Sequence, residues 1–344
     1  MKTPNYKYNF FDDYSEGAHP QILEALSRTN LSQATGYGND SFCQEAASIL
    51  KGKIGNPEAD IHLVSGGTQA NLIGLSAMLK PYESVIAPLS GHIAIHEAGA
   101  IEATGHKINT VQTVNGKLSP ADIQNVVDGH TDEHMVKPRA VFISQATEFG
   151  TIYKKEELKA ISQVCRKNNL YLYLDGARLG PALTSSEADI TLSQLSKLVD
   201  MFYIGGTKNG ALLGEAIVIN NPRLKENFRY YLKQKGALLA KGRVLGIQFV
   251  ELFKNDLYFD LAKHANVMAS KLTEGIRKQG NEFLSESSTN QIFPIFPHSV
   301  IEKLKSSYGF YVWSKVDANN SAIRLVTSWA TKESAVEEFL SVTT

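Results

Sequence analysis

One lysine of this chain lies in a setting that suggests chemistry. The apolar run Met201-Phe202-Tyr203-Ile204 ends at Gly205-Gly206, and Thr207 and Lys208 follow at once. Glycines let the backbone approach a ligand closely. A lysine at the rim of a sheet, among small residues, can lose part of its hydration and act as a neutral amine that forms a Schiff base. The alternative is an ordinary, solvated loop lysine.

A carboxylate and a guanidinium follow another apolar run, Leu170-Tyr171-Leu172-Tyr173-Leu174, in the order Asp175-Gly176-Ala177-Arg178. An isolated buried charge is costly, so Arg178 could simply neutralise Asp175. Otherwise Asp175 would hold a pyridinium N–H, and Arg178 would face a substrate carboxylate. Lys208 follows Asp175 by 33 residues, one helix and one strand, which suits two neighbouring strand ends.

The stretch Gly66-Gly67-Thr68 precedes a predicted helix and follows the apolar run Ile61-His62-Leu63-Val64. Unpaired amides and the helix dipole favour an anion at such a position, so the stretch predicts a phosphate site. It matches neither the Walker nor the G-x-G-x-x-G pattern. The alternative is a turn in which Thr68 caps the helix.

Three further positions carry polar groups with more than one interpretation. His92 and His96 have zinc-ligand spacing, but the H-E-x-x-H order and a third ligand are absent, so we expect no metal. His92 could stack on an aromatic cofactor or cap a helix. Glu148 could be a general base or a plain loop carboxylate. Arg324 lies inside the apolar run Ile323-Arg324-Leu325-Val326 and would bind a substrate carboxylate or bridge two domains by a salt bridge.

A phosphate loop, an aspartate, a lysine, a ring-stacking histidine and two arginines together fit pyridoxal phosphate bound to an amino-acid substrate. The elements that must position them alternate between strand and helix from Ala59 to Asn220. Continuously apolar strands in such an alternation predict a mostly parallel sheet covered by helices, with ligands outside the carboxyl ends of the strands. Helices are also expected near His92 to Ala103 and from Pro222 to Leu239.

We divide the chain into an N-terminal arm and large domain, residues 1–240, and a small C-terminal α+β domain, residues 241–344. The chain has 344 residues, of which 43% are hydrophobic, and it has 35 basic and 35 acidic residues, so no global field attracts nucleic acid or a membrane. Only Cys43 and Cys165 are present, and neither a signal peptide nor a long apolar run is seen. A cytoplasmic protein is expected.

The motifs, in order along nearly the whole chain, resemble those of the threonine aldolase family, a group of fold-type I pyridoxal-phosphate enzymes. The matching runs are Ser65-Gly66-Gly67-Thr68-Gln69-Ala70-Asn71, His92 with Glu97-Ala98-Gly99, Asp175-Gly176-Ala177-Arg178, Thr207-Lys208 and Arg324-Leu325-Val326-Thr327. Many fold-type I enzymes share the aspartate and the lysine. The histidine before Glu97-Ala98-Gly99 is more particular to the aldolases.

The resemblance implies a role for each matching position. Lys208 would form the Schiff base with the cofactor, and Asp175 would bind the pyridine nitrogen. The remaining implied contacts are phosphate binding by Gly67, Thr68 and Thr207, ring stacking by His92, carboxylate binding by Arg178 and Arg324, a cofactor contact by Arg243, and a shared-site contact by Tyr37 in Gly36-Tyr37-Gly38. The family's oligomers share active sites between subunits, so a homodimer or homotetramer is expected.

Two departures from the family pattern bear on the chemistry. Thr147-Glu148-Phe149-Gly150 replaces a Thr-His-Asn-Gly run, and Asp12-Asp13-Tyr14-Ser15-Glu16 replaces an N-terminal Arg-Ser-Asp-Thr run. The resemblance implies retro-aldol cleavage of threonine or allo-threonine to glycine and acetaldehyde, with His92, or a water held by His92 and Glu148, as the base. A β-eliminating lyase, an aminotransferase or a non-catalytic pyridoxal-phosphate protein are the alternatives.

Overall fold

The computed structural model describes residues 6–343. The strands of this part of the chain are β1 (Tyr8–Asn9), β2 (Asp60–Val64), β3 (Glu83–Pro88), β4 (Lys107–Val111), β5 (Lys137–Ser144), β6 (Tyr171–Asp175), β7 (Met201–Gly205), β8 (Glu215–Ile219), β9 (Gln291–Ile292), β10 (Ile295–Pro297), β11 (Tyr308–Gly309), β12 (Tyr311–Lys315) and β13 (Asn320–Val326).

The α-helices are α1 (Pro20–Arg28), α2 (Ser41–Ile54), α3 (Gly67–Met78), α4 (His92–Ile95), α5 (Pro120–Asp128), α6 (Lys155–Lys167), α7 (Leu179–Leu183), α8 (Leu192–Ser196), α9 (Phe228–Gln234), α10 (Arg243–Lys254), α11 (Leu257–Lys278), α12 (His298–Lys305) and α13 (Glu333–Val342). Short 3₁₀ helices lie at Glu102–Thr104 and Pro222–Leu224. No helix within residues 6–343 is both long and apolar enough to cross a membrane.

The larger sheet has seven strands in the order β2-β8-β7-β6-β5-β3-β4. The pairs from β7 to β4 are parallel, whereas β8 runs antiparallel to both of its neighbours. Strands β3, β7 and β8 are buried along their whole length. In β7 this agrees with a continuously apolar sequence, whereas β3 and β8 each begin with a buried glutamate. Two apolar clusters pack against the sheet. The predicted mostly parallel sheet covered by helices is confirmed.

Local sequence explains where several helices begin and end. Asp40 caps α2 by accepting the N–H of Cys43 at 2.9 Å, and Gly55 ends the same helix with φ of 64°. The helix expected from His92 to Ala103 is a single turn, because Ala98 and Gly99 adopt positive φ. The helix expected from Pro222 to Leu239 is likewise broken, since Asn227 has φ of 59°.

A smaller four-stranded sheet is built from β9, β10, β12 and β13 and packs with α11, α12 and α13 around its own apolar cluster. The N-terminal segment contributes to this part of the molecule, because β1 pairs in parallel with β11 and Phe10 is fully buried in the cluster. Helix α10 packs against α1 and α2, beside the large sheet. The division near residue 240 stays a prediction.

Candidate active site

The carboxyl ends of the parallel strands open into a cavity of about 320 Å³. It is lined by Tyr14, Ser65, Gly66, Gly67, Thr68, His92, Ser144, Ala146, Glu148, Asp175, Ala177, Arg178, Tyr203, Thr207, Lys208 and Glu215. The loops after β2, β3, β5, β6 and β7 all contribute, as expected for a ligand site of an open α/β sheet. Eight of the eleven residues predicted to serve cofactor, catalysis or substrate line this cavity, and Tyr37, Arg243 and Arg324 do not.

 

Lys208 lies inside the cavity and is partly buried. Burial lowers the pKa of its ammonium group, and the positive charge of Arg178 lowers it further. The ring of Tyr14 lies 5.8 Å from Nζ. The interpretation as an ordinary solvated loop lysine does not fit this position, because desolvation favours the neutral, nucleophilic amine.

Asp175 is 4% exposed and is surrounded by hydrogen-bond donors. Its Oδ1 accepts the hydroxyl of Tyr203 at 2.6 Å and the N–H of Ala177 at 3.0 Å, and its Oδ2 accepts the amide of Asn71 at 3.0 Å. The ion pair with Arg178 that the sequence allowed is not formed. Asp175 is therefore held by neutral donors, and none of the lysines and arginines among residues 6–343 bonds its carboxylate.

Asn71 links the aspartate to the histidine. Its Nδ2 also donates to Glu97 Oε1 at 2.7 Å, and the same oxygen accepts the Nδ1–H of His92 at 2.8 Å. Asn71 is fully buried and Glu97 is 6% exposed. A buried carboxylate that bonds one ring nitrogen fixes the orientation of an imidazole, so this chain of contacts holds the His92 ring at the cavity wall.

The first turn of α3 also lines the cavity. Gly66 occupies the N-cap position and no side chain caps the helix, so its first amides are free to meet a ligand. The alternative in which Thr68 caps the helix is not what the structure shows. A Cβ atom added to Gly67 would lie 2.9 Å from the hydroxyl oxygen of Tyr203, so glycine is required here by space.

Glu148 replaces the second histidine of the family pattern and also lines the cavity. Its Oε1 accepts the hydroxyl of Ser144 at 2.8 Å and the main-chain N–H of His92 at 3.1 Å. Its Oε2 is buried and has no partner among the described residues. Burial raises the pKa of this carboxyl. The contacts place Glu148 beside His92 at the cavity.

The two arginines that were predicted to bind substrate are both paired with the N-terminal segment. Arg178 donates to both oxygens of Asp13, at 2.7 and 3.1 Å, and Asp13 is fully buried. Arg324 donates to Asp12 Oδ1 at 3.0 Å and to the carbonyl of Phe11 at 3.0 Å. Burial, and then the charge of Arg178, lower the pKa of Arg324, so the two guanidinium groups are close enough to interact.

Arg243 and Tyr37 do not approach the cavity of their own chain. Arg243 donates to the carbonyls of Thr29 and Ser32 and lies 4.9 Å from the ring of Phe42. Tyr37 is 45% exposed on the same side of the molecule. A cofactor or substrate contact from either residue would need a second copy of the chain, so both roles stay predictions.

Comparisons with known proteins identify the family of this chain. Residues 13–297 match the sequence model of the beta-eliminating lyase family. A low specificity L-threonine aldolase of Pseudomonas sp. is 34% identical over 334 residues, which cover 95% of this chain and 94% of that protein. The chain belongs to the threonine aldolase family. A solved structure of Leishmania major threonine aldolase superposes with a TM-score of 0.96 at 47% identity and covers 98% of both chains.

More distant structures show how widely the fold is shared. Thermus thermophilus aspartate aminotransferase superposes with a TM-score of 0.74 at 14% identity, covering 99% of this chain and 91% of that one. At this identity the likeness concerns the fold alone, and it confirms the fold-type I architecture. Relatives of these kinds imply pyridoxal phosphate as the cofactor of the family.

Sequence reasoning gave no role to several polar residues of the site, among them Tyr203, Asn71 and Glu215. Tyr203 and Asn71 were hidden inside an apolar strand and a helix, although both bond Asp175. Glu215 begins β8, a strand that the sequence analysis did not single out. The sequence could have indicated Glu215, because it is a charged residue directly beside an apolar run. Tyr203 and Asn71 have no comparable feature in the sequence.

Proposed function

We propose that this chain is a pyridoxal-phosphate-dependent aldolase that cleaves L-threonine and L-allo-threonine to glycine and acetaldehyde. The observation that carries the proposal is that the Lys208 amine, the Asp175 carboxylate and the uncapped first turn of α3 line one cavity. When bound, the cofactor supplies an electron sink that stabilises negative charge at the substrate Cα. The family membership supports the same reaction.

The residues present fit this cofactor. A protonated pyridine nitrogen needs a buried anionic acceptor, and Asp175 is one that forms no ion pair with Arg178. A phosphate group needs donors without a competing side chain, and Gly67, Thr68 and Thr207 would hold it at the start of α3. Lys208 would supply the amine that binds the aldehyde carbon, and His92 would stack on the ring.

Two arginines would meet an amino-acid substrate: Arg178, which lines the cavity, and Arg324, which is not part of its lining. Arg178 and Arg324 would bind the substrate carboxylate and so orient the bond between Cα and Cβ. The β-hydroxyl proton would pass to His92 or to a water held by His92 and Glu148. The two residues are neighbours, because Glu148 accepts the main-chain N–H of His92. Removal of this proton allows the carbonyl of acetaldehyde to form as the Cα–Cβ bond breaks.

Product analysis tests the proposal. Purified protein with pyridoxal phosphate is incubated with L-threonine, L-allo-threonine and phenylserine, each also as the D enantiomer, and the products are identified. Glycine and an aldehyde in equal amounts are expected from the L substrates. Ammonia and a keto acid without glycine would identify a β-eliminating lyase or an aminotransferase instead. Cofactor binding without any turnover would identify a non-catalytic binding protein.

We also propose a homodimer or homotetramer in which neighbouring chains complete the cavity. Support comes from Arg243 and Tyr37, which do not line the cavity of their own chain, and from Leu31, which is 93% exposed beside the Ser32 carbonyl that Arg243 bonds. Mixing the inactive variants Lys208→Ala and Tyr37→Ala, after dissociation and reassembly, should restore part of the activity. No restoration, with mixed oligomers demonstrated, would contradict shared sites.

A further inference from the structure

The N-terminal segment passes the candidate active site between two anchored residues, Phe10 and His19. The carbonyl of Phe10 accepts the N–H of Val326 in β13 at 3.0 Å. The N–H of His19 donates to the carbonyl of Gly210, in the loop after β7, at 2.8 Å. Between these two contacts, Tyr14 lines the cavity. The segment therefore runs from the small sheet to the loop that carries the predicted Schiff-base lysine.

Two neighbouring aspartates of this segment bond the two arginines in different ways. Asp13 is fully buried, and both of its carboxylate oxygens accept hydrogen bonds from Arg178. Asp13 also accepts the amide of Asn290 at 2.9 Å. The side chain of Asp12 is 15% exposed, and its Oδ1 accepts one guanidinium nitrogen of Arg324 at 3.0 Å. Bidentate pairs of this kind are stronger than single contacts near solvent, so Asp13 is the fixed partner and Asp12 the exchangeable one.

Arg324 has hydrogen-bonding capacity that Asp12 does not use. The nitrogen that donates to Asp12 also donates to the carbonyl of Phe11, and Nε is buried without a partner among the described residues. The guanidinium carbon lies 5.0 Å from the ring of Tyr311 and 5.4 Å from the ring of Trp313. Aromatic rings attract a guanidinium group without occupying its N–H donors. These contacts hold Arg324 in place independently of Asp12.

A substrate carboxylate would bring a third negative charge to these two guanidinium groups. Arg178 with Asp13 and Arg324 with Asp12 are each a neutral pair. An uncompensated charge in a largely buried place is costly, so one aspartate has to give way. Leaving Arg178 would deprive the fully buried Asp13 of its hydrogen bonds, whereas Asp12 is already in contact with solvent.

We propose that Asp12 is an internal competitor for the substrate carboxylate: it bonds Arg324 until a substrate carboxylate takes its place, while Asp13 stays on Arg178. The side chain of Asp12 then turns toward solvent, and no covalent bond changes. This inference rests on the proposed function, in which Arg324 binds the substrate carboxylate. It makes Asp12 a residue that sets the KM for amino-acid substrates without taking part in the chemical step.

Equilibrium binding of glycine, a product of the proposed reaction, tests the proposal without turnover. Protein loaded with pyridoxal phosphate is titrated with glycine and with glycinamide, which has the same amine but no carboxylate, and the absorbance of the cofactor is followed. The titrations are repeated with Asp12→Asn and with Asp12→Ala, two variants that remove the charge in different ways. The matched control is Asp256→Asn, which removes the carboxylate of another aspartate that bonds a basic residue, Lys53, and that does not line the cavity.

In both Asp12 variants we expect the Kd for glycine to fall about 2- to 5-fold, because a partly exposed ion pair withholds Arg324 by about that factor. The Kd for glycinamide should stay at the wild-type value, as should both constants in Asp256→Asn. The KM for L-threonine should fall with the glycine Kd, and kcat should change little.

An unchanged Kd for glycine in the Asp12 variants would overturn the proposal. A raised Kd would also overturn it, since that result means that Asp12 positions Arg324 for the substrate. Equal tightening of glycine and glycinamide, or a similar fall in Asp256→Asn, would show that the effect does not arise at the substrate carboxylate and would overturn the proposal too. A wild type that binds neither ligand would instead reject the proposed function.

Discussion

The substitution Glu148→Gln tests whether Glu148 acts as a base, because it removes the basic carboxylate and changes little else. The amide oxygen of glutamine can still accept the hydroxyl of Ser144 and the N–H of His92, which Glu148 Oε1 now accepts at 2.8 and 3.1 Å. The buried Oε2, which has no partner among the described residues, becomes an amide group that cannot act as a base. The fold and the position of His92 should therefore be preserved.

The expected effect on catalysis follows from the role of the base. General-base catalysis contributes about 10²- to 10⁴-fold in rate, so kcat for threonine cleavage should fall by that factor, equivalent to about 3 to 5 kcal/mol. Exchange of the glycine α-proton with solvent does not involve a β-hydroxyl group. That exchange should therefore continue at close to the wild-type rate in Glu148→Gln, and it serves as the internal control.

The pH profile gives an independent readout of the same residue. Burial raises the pKa of Glu148, and a base works only when ionised, so kcat of the wild type should decrease as pH falls through this raised pKa. Glu148→Gln should lack that acid limb. A variant that keeps both the wild-type kcat and the acid limb would refute the reasoning and leave His92 as the base.

Three other substitutions test separate parts of the site. Tyr203→Phe removes the 2.6 Å hydrogen bond to the buried Asp175 and should lower the free energy of unfolding by about 1 to 3 kcal/mol, measured by urea denaturation. Arg324→Gln should raise KM for threonine about 10- to 100-fold with little change in kcat, whereas an unchanged KM would assign Arg324 to its ion pair with Asp12 alone. Gly67→Ala would bring a Cβ within 2.9 Å of the Tyr203 hydroxyl, and spectral titration should show weakened cofactor binding.

The sequence predicted the parts of the site that follow strand ends. Asp175, Lys208 and the Gly67-Thr68 turn each came after an apolar run, and parallel strands bring their carboxyl ends to one edge of a sheet. The arrangement was therefore predictable from local patterns. In the structure these residues line one cavity, as the sequence predicted.

The parts that were not predicted depend on contacts between distant segments. Arg178 and Asp13 are separated by 165 residues, and nothing local to either residue indicates that they pair. The Asn71 bond to Asp175 joins a helix to a strand, so it depends on packing rather than on spacing. The short helix at His92 differs from its prediction because Ala98 and Gly99 adopt positive φ, which apolar periodicity does not reveal.

We propose that threonine cleavage takes place in this cavity and depends on the Lys208 amine. The most direct test compares steady-state formation of glycine and acetaldehyde from L-threonine by the wild type and by Lys208→Ala, with circular dichroism confirming that both are folded. We predict that the wild type forms the two products in equal amounts and that the variant loses steady turnover. Undiminished cleavage by Lys208→Ala, or a wild type that forms neither product, would contradict the account.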